Sequence, residues 1–245
     1  MKKGGMILAE VMHKTKNLVS PGISLFEIDK FADDLITKNK AKPSFKMVKG
    51  YNWATCINLN EGIVHGLPDK TRVQRGDLIS IDMGVYFEGY HTDMSFSWEI
   101  DTNNHEGFLT AGRVALDEAI KNAVVGNRVG DISLAIQKNI EGKGVGSCAR
   151  NLTGHGVGKK LHEEPFLPCF LALDIKDTPL LRPNQALAIE IIYMQGSSRT
   201  VTETNGWTIS TADGKISSLF EKTVLVGEGE AKDLTPYLWE VVNKP

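Results

Sequence analysis

The sequence predicts an α+β fold made of two similar halves, and three observations carry that expectation. Apolar residues recur at helical spacing in four stretches that come in two pairs. The strand-like runs between and after them are joined by turn signals and interrupted by carboxylates. Finally, Gly22, Glu27 and Ile28 recur as Gly126, Asp131 and Ile132, while Asp77 precedes Asp82 by the same interval as Gln185 precedes Glu190. Each half thus reads helix, turn, helix, then a strand bearing an acid. Two such halves facing one another would bring acids from both to a shared centre.

In chain order, residues 4 to 19 place Ile7, Leu8, Val11, Met12 and Leu18 on one helical face, and Ser20-Pro21-Gly22 stops the run. Ser24-Leu25-Phe26-Glu27 is a capping-box pattern that opens a second helix to about Lys40. Residues 41 to 55 read as loop and short strand, and Thr55 to Asn60 as a strand ending at Glu61-Gly62. Ile63-Val64-His65-Gly66 and a Pro68-Asp69 turn follow. Two β-rich runs between Asp77 and Phe96 flank Glu88-Gly89 and predict a hairpin. Helices are expected from Gly107 to Val125 and from Asp131 to Glu141, and then a glycine-rich region from 142 to 170. Strands are expected at Ala186–Met194, around Trp207–Ser210 and at Ile216–Val226, with Asp213-Gly214 as a hairpin signal and short edge structure through Trp239.

Composition narrows the class. A chain of 245 residues with 41% hydrophobic and 24% charged residues is ordinary for a globular protein that buries a sizeable core. A net charge of −2 leaves no electrostatic footprint for nucleic acid or an anionic membrane. Cys56, Cys148 and Cys169 are widely spaced and form no CxxC pair, which fits a reducing cytoplasm better than a disulfide framework or a cysteine zinc site. No secretory leader and no apolar run of membrane-spanning length is expected.

The hairpin carries the first chemical signal. With the turn centred between Glu88 and Gly89, Asp82 faces Ser95 and Asp93 faces Gly84, so the two aspartates are diagonal neighbours on one face. At about 4 Å two unit charges repel by roughly 4 kcal/mol at an effective dielectric near 20. Such a pair asks for a cation or a shared proton, unless one of the two merely caps the turn. Glu190, within Leu187-Ala188-Ile189-Glu190-Ile191-Ile192, and Glu221, within Leu219-Phe220-Glu221, add two more acids to apolar strands, where a carboxylate needs an ion pair, a rim position or a metal. His155 stands in Gly154-His155-Gly156-Val157-Gly158, where missing side chains let the backbone approach a ligand closely, although a plain loop histidine reads the same way. His162-Glu163-Glu164-Pro165 lacks the HExxH spacing, and Gly142-Lys143-Gly144-Val145-Gly146 lacks a nucleotide-loop spacing.

Taken together, Asn60-Glu61-Gly62-Ile63-Val64-His65-Gly66-Leu67-Pro68, Ile81-Asp82-Met83-Gly84 with Gly89-Tyr90-His91-Thr92-Asp93, Gly154-His155-Gly156-Val157-Gly158, His162-Glu163-Glu164-Pro165, Ile189-Glu190 and Phe220-Glu221 resemble the type I methionine aminopeptidases over essentially the whole chain. The resemblance implies a pita-bread (creatinase/aminopeptidase) fold, two pseudo-symmetric halves with a central curved antiparallel sheet and outer helices. It implies one catalytic domain over 1–245, with repeat halves about 1–105 and 106–245. The implied ligands of two divalent ions are Asp82, Asp93, His155, Glu190 and Glu221, with Asp93 and Glu221 bridging. Four carboxylates offset four positive charges, and cobalt, manganese, iron, zinc and nickel all suit the mixed oxygen and nitrogen set. The implied reaction is attack of a metal-bridging hydroxide on the first peptide carbonyl, which removes the initiator methionine ahead of a small second residue. Glu190 is the implied proton shuttle, and His65 and His162 contact substrate. The implied methionine pocket uses Tyr51, Cys56 and Trp207, with Phe45 and Leu161 at less well matched positions. Read alone, His65 is a turn histidine, and Cys56 and Trp207 are core. The implied partners are nascent polypeptide N-termini, with ribosome association, for a cytoplasmic monomer.

Departures from the family pattern are Lys222 after Glu221, Met94 after Asp93, and a start inside what resembles the first family helix. Strand alternation should turn Lys222 away from the face of Glu221. The competing readings are a prolidase or Xaa-Pro aminopeptidase, expected to carry an extra N-terminal domain, a type II enzyme with an insert between His155 and Glu190, and a catalytically inactive binding protein of the same fold.

Overall fold

The computed structural model describes residues 1–238, so Trp239, at the end of the expected edge structure, lies outside the described residues. In chain order the elements are α1 (Lys2–Leu18), α2 (Leu25–Lys38), β1 (Lys42–Pro43), β2 (Thr55–Leu59), β3 (Gly62–Val64), β4 (Leu78–Phe87), β5 (Tyr90–Glu99), α3 (Glu106–Lys121) and α4 (Val129–Ile140). There follow β6 (Ser147–Cys148), β7 (Thr153–Gly156), β8 (Glu163–Pro168), β9 (Ala186–Met194), β10 (Thr200–Thr202), β11 (Ile209–Thr211), β12 (Ser217–Leu225) and β13 (Lys232–Asp233). One sheet runs β1-β4-β5-β12-β9-β7-β8, with β2 also on β4, β6 on β9 and β13 on β12, while β10-β11-β3 form a small second sheet. All its pairings are antiparallel, as in a pita-bread fold.

The repeat seen in the sequence has a physical basis. Gly22 and Gly126 take φ of +94° and +95°, a left-handed conformation open to glycine. Two residues on, the Ser24 amide donates to Glu27 Oε2 at 2.9 Å and the Arg128 amide to Asp131 Oδ2 at 2.8 Å, so the same N-terminal lock opens α2 and α4. Isolated antiparallel bridges join Ser24 to Arg72 and Arg128 to Leu180. Ile100 N donates to Asp77 O, and Val226 N to Gln185 O, which ties the start of each acid-bearing strand to the end of its partner. Helices α1 and α2 thus correspond to α3 and α4, and β4-β5 to β9-β12. The two halves meet at the β5–β12 seam.

That seam is only partly a backbone ladder. Glu221 pairs with Ser95 and Lys222 with Met94, and side-chain hydroxyls take over on either side. Thr223 Oγ1 donates to Asp93 O and accepts from Asp93 N, both at 2.8 Å. Ser97 Oγ likewise donates to Leu219 O at 2.8 Å and accepts from Leu219 N at 2.9 Å.

Alternation sorts the residues of the large sheet. On β4, Ile79, Ile81, Met83 and Val85 are fully buried in the main core with Leu8, Met12, Ile28 and Ile36 of α1 and α2. The intervening Ser80, Asp82 and Gly84 face the other way. Lys222 shares the helix-side alternation of Phe220, and its Nζ lies 3.2 Å from Asp233 Oδ2 and 4.3 Å from the centre of the Tyr237 ring, so it turns away from Glu221 as expected. Met94 is fully buried in the same core.

Three local expectations need correction. Helix α2 ends at Lys38 rather than Lys40, because Lys40 adopts φ +58° and closes a Schellman pair, Ala41 N to Ile36 O and Lys40 N to Thr37 O. Asp213-Gly214 is a turn but not a hairpin, since β11 pairs with β10 and β3 while β12 belongs to the large sheet. The region 142–170 contains β6, β7 and β8, short strands with few β-formers that form on an existing edge.

Helix α3 lies so close to the sheet that a Cβ on Gly112 would fall 2.5 Å from Tyr193 Oη and 2.6 Å from the Phe220 ring. Glycine in a helix interior ordinarily costs about 1 kcal/mol relative to alanine. Gly112→Ala is expected to reverse that sign and destabilise by roughly 1–3 kcal/mol through overpacking. Chemical denaturation of the two proteins measures the difference.

Candidate metal centre

Strand register assembles the site. Across the inner face runs one row, Cys56 opposite Asp82, Asp82 opposite Ser95, Ser95 opposite Glu221 and Glu221 opposite Glu190. Two residues along each strand runs a second row. In it Gly84 pairs with Asp93, Asp93 bonds Thr223, Thr223 pairs with Ala188, and Ala188 pairs with His155. Four acids and one imidazole therefore share a face on two adjacent rows, drawn from both halves. The Asp82–Ser95 and Gly84–Asp93 pairs follow from a two-residue turn with no bulge, Glu88 at φ +48° and Gly89 at φ +90°, which is a type I′ turn.

His155 is held for coordination. Its Nδ1 lies 2.8 Å from Gly156 O, an acceptor only, so Nδ1 carries the proton and Nε2 presents its lone pair inward. Nε2 lies 3.4 Å from Glu190 Oε1 and 4.0 Å from Asp93 Oδ2. Asp93, His155 and Glu221 offer ligand atoms within 4.8 Å of one another, and all three residues are buried. The flanking glycines admit protein rather than ligand. A Cβ on Gly154 would meet Ala188 O at 2.5 Å, and one on Gly156 would meet Glu164 O at 2.4 Å. His91 fastens this loop to β5, its amide donating to Gly158 O at 2.8 Å while its Nδ1 sits 2.9 Å from Ser44 Oγ.

The electrostatics favour added positive charge at the cluster. Burial first, then the neighbouring Asp93 and Glu190 charges, pushes Asp82 well above the usual carboxylate range. Glu190 and Glu221 are raised in the same way, and burial lifts Asp93 to about 7. Burial, then His162, lowers His155 to about 4, which keeps its ring neutral as a ligand must be. Asp82 Oδ1 and Glu221 Oε1 are buried without a hydrogen-bond partner. Unpaired carboxylate oxygens beside a neutral imidazole fit divalent metal ions.

A cavity of about 190 Å³ opens onto these groups and is lined by Phe45, Val48, Tyr51, Cys56, Val64, His65, Asp82, Asp93, His155, Leu161, His162, Glu190, Trp207 and Glu221. Every site residue expected from the sequence is among them. Val48 and Val64 were not expected, since an isolated valine in a loop or short strand carries no distinguishing signal. Tyr51 is the hub of the apolar wall, edge-on to Phe45, Trp53 and Trp207 at ring distances of 6.4, 5.4 and 5.1 Å. His65 and His162 stand at the solvent-reached mouth, and His65 takes φ +57°, a strained backbone held by its surroundings. Burial lowers both rings, with His162 adding to the effect on His65.

Residues 1–228 match metallopeptidase family M24. The chain belongs to that family. Among its M24 relatives, the methionine aminopeptidase of Clostridium perfringens is 38% identical over 228 residues, covering 92% of this chain and 90% of the relative. Methionine aminopeptidase 1 of Bacillus subtilis is 35% identical over 230 residues, at 93% and 92% coverage. The crystal structure of the methionine aminopeptidase from Thermotoga maritima superposes with a TM-score of 0.91 at 34% identity, covering 96% of this chain and 94% of that one. The prolidase of Pyrococcus horikoshii shares the fold at 21% identity and a TM-score of 0.77, and the chain covers 60% of it. Within M24 the chain groups with the type I methionine aminopeptidases, as a metal-dependent hydrolase of peptides. Among the described residues no helix is long and apolar enough to cross a membrane.

The raised carboxylates fix a pH dependence. Between the unfolded carboxylate range near about 4 and their folded values, the native metal-free protein holds more protons than the unfolded chain, so its stability falls as pH rises. His155 acts oppositely, from about 4 up to its ordinary value, and the lowered rings of His65, His91 and His162 act with it, an opposition that ends above the unfolded imidazole value of about 6.5. Thermal denaturation of metal-free protein should show a midpoint that declines from about pH 7 to about pH 8, above the range in which the histidines oppose it, and loading with cobalt or manganese should remove that decline, because the cation favours the ionised carboxylates. Equal slopes with and without metal would contradict the assignment.

Proposed function

We propose that the chain removes the N-terminal methionine from nascent proteins and peptides whose second residue is small. One observation carries this reading: the acid and imidazole cluster and an apolar pocket of single-side-chain size line the same cavity. Drug-sized ligands occupy about 300–1,000 Å³, well above the 190 Å³ found here.

Asp82, Asp93, His155, Glu190 and Glu221 would hold two divalent ions, with Asp93 and Glu221 shared between them. When bound, such ions would supply Lewis acidity toward the first peptide carbonyl and would acidify a water. Glu190, on the cavity wall, would take a proton from the attacking water and pass it to the leaving amine. His65 and His162 contact the substrate at the mouth. Neutral imidazoles there offer one N–H each to the carbonyl oxygen as negative charge develops on it. Tyr51, Cys56 and Trp207, with Phe45 and Leu161, receive the side chain, and a thioether gains from the aromatic rings.

On this reading the chain is one catalytic domain, with its repeat halves near 1–105 and 106–245. It works as a cytoplasmic monomer on emerging chains in association with the ribosome, and neither nucleic acid nor membrane enters the reaction. The three cysteines, all free, support a reducing compartment.

Metal-reconstituted protein should release methionine from Met-Ala-Ser and lose that activity to a chelator. No release with cobalt, manganese, iron, zinc or nickel would overturn the reading, and faster cleavage of Ala-Pro-Ser would move it to a prolyl peptidase. Asp93→Asn should bind at least one ion fewer and lose more activity than the about 10–100-fold typical of losing a supporting group. Elemental analysis and kcat measure the two effects.

A further inference from the structure

Asp29 is a buried carboxylate that the chemistry above does not use. It lies on the inner side of α2, and its Oδ1 accepts three hydrogen bonds, from Ala54 N at 2.9 Å and from Thr55 N and Thr55 Oγ1 at 2.8 Å each. Both residues it holds are fully buried. Thr55 carries the connection onward, because its carbonyl accepts from the Tyr51 hydroxyl at 2.8 Å. That hydroxyl also lies 3.1 Å from Cys56 Sγ. A two-residue chain of hydrogen bonds therefore runs from a core helix to the ring on which Phe45, Trp53 and Trp207 pack.

Besides Asp29, the segment it secures is held by the bond from Val48 N to Phe45 O at 2.9 Å and by the aromatic contacts of Tyr51. Residues 48–54 belong to no helix or strand, yet they present Val48 and Tyr51 to the cavity. Inside that segment, Tyr51 N donates to Val48 O at 3.1 Å. Thr55 is also the first residue of β2, so the contact sets where the loop enters the sheet and therefore where Cys56 stands opposite Asp82. Burial raises the Asp29 carboxyl above its ordinary value and the Thr55 and Ala54 donors pull it back, so the three hydrogen bonds that converge on one oxygen favour its ionised form.

We propose that Asp29 is a positioning residue for selectivity: through Thr55 it holds Tyr51 and Cys56 where the pocket accepts an unbranched thioether side chain and rejects branched ones. The inference rests on the proposed function, and its location, on α2 behind the pocket wall, separates it from the metal cluster. Loosening Asp29 widens the pocket without touching a metal ligand. Its signature is a change in which first residue is accepted, with metal binding preserved.

The test uses the full chain loaded with one metal and compares Met-Ala-Ser with Leu-Ala-Ser. Asp29→Asn keeps the shape but weakens the acceptor. It should raise KM for Met-Ala-Ser several-fold with kcat within about twofold, and should lower the methionine-to-leucine ratio of kcat/KM about tenfold. Thr55→Val deletes only the Oγ1 donor and should shift the ratio in the same direction by less, and Thr55→Ser should restore it. Metal stoichiometry and affinity, read by calorimetry, should match the parent in all three. The proposal is overturned if folded Asp29→Asn and Thr55→Val keep the parent ratio, or if they lose kcat and metal together, as a general structural defect would. Failure of the parent to release methionine would instead overturn the function on which the inference rests.

Discussion

Four carboxylates on one face of one sheet, closer together than their charges tolerate, are the constraint from which the rest of the structure follows. At an effective dielectric near 20 each close pair costs about 4 kcal/mol at about 4 Å, and the cluster is buried. Such a face persists only on a rigid support and only with positive charge brought to it. The support is the apolar opposite face of the same strands, where Ile79, Ile81, Met83 and Val85 meet the helices, because period-two alternation separates the two functions residue by residue. Strong packing on one side permits the electrostatic load on the other.

The load is also shared between halves. Asp82 and Asp93 come from the first half and His155, Glu190 and Glu221 from the second, so neither half completes the site. Their meeting line is the β5–β12 seam, where Ser97 and Thr223 hydroxyls substitute for backbone partners at symmetric positions. Tyr237 adds a third clamp, its hydroxyl 2.6 Å from Ser95 O and 3.1 Å from Glu221 O. Hydroxyls can both donate and accept, so a seam stitched this way satisfies both strands where the ladder stops. That arrangement sets Asp93 and Glu221 on adjacent rows, within reach of a shared ion.

Much of this was legible in the chain because it follows from counting. The Asp82–Ser95 and Gly84–Asp93 pairs needed only the turn at Glu88-Gly89 and the period of a strand, and the structure has both. The repeat rested on a handful of letters, but those letters are the ones with backbone roles: a left-handed glycine and an acid that caps a helix. What could not be read is what depends on distant partners. Strand β7, Thr153-Gly154-His155-Gly156, has almost no intrinsic preference and forms against β8 and β9. The glycines around His155 signalled close approach, but not that the approaching group is the protein's own backbone. Asp29 carries no signal in the sequence, because its three donors lie about 25 positions away.

With two divalent ions bound, four carboxylates and four positive charges cancel at the cavity floor, so the floor itself discriminates poorly between one N-terminal residue and another. Selectivity then falls to the neutral surfaces. At the mouth, His65 and His162 have lowered pKa values, and rings that stay neutral neither repel an N-terminal ammonium nor compete with the ions for the carboxylates. On the wall, Tyr51 is clasped by three aromatic rings and tethered by its hydroxyl. A hydrophobic pocket distinguishes side chains differing by a methylene by only about 1–3 kcal/mol, and it reaches even that only if its walls do not move. The physical requirement for a selective pocket beside an unselective metal floor is thus a stiff wall, and the wall's stiffness traces back to the hydrogen bonds behind it.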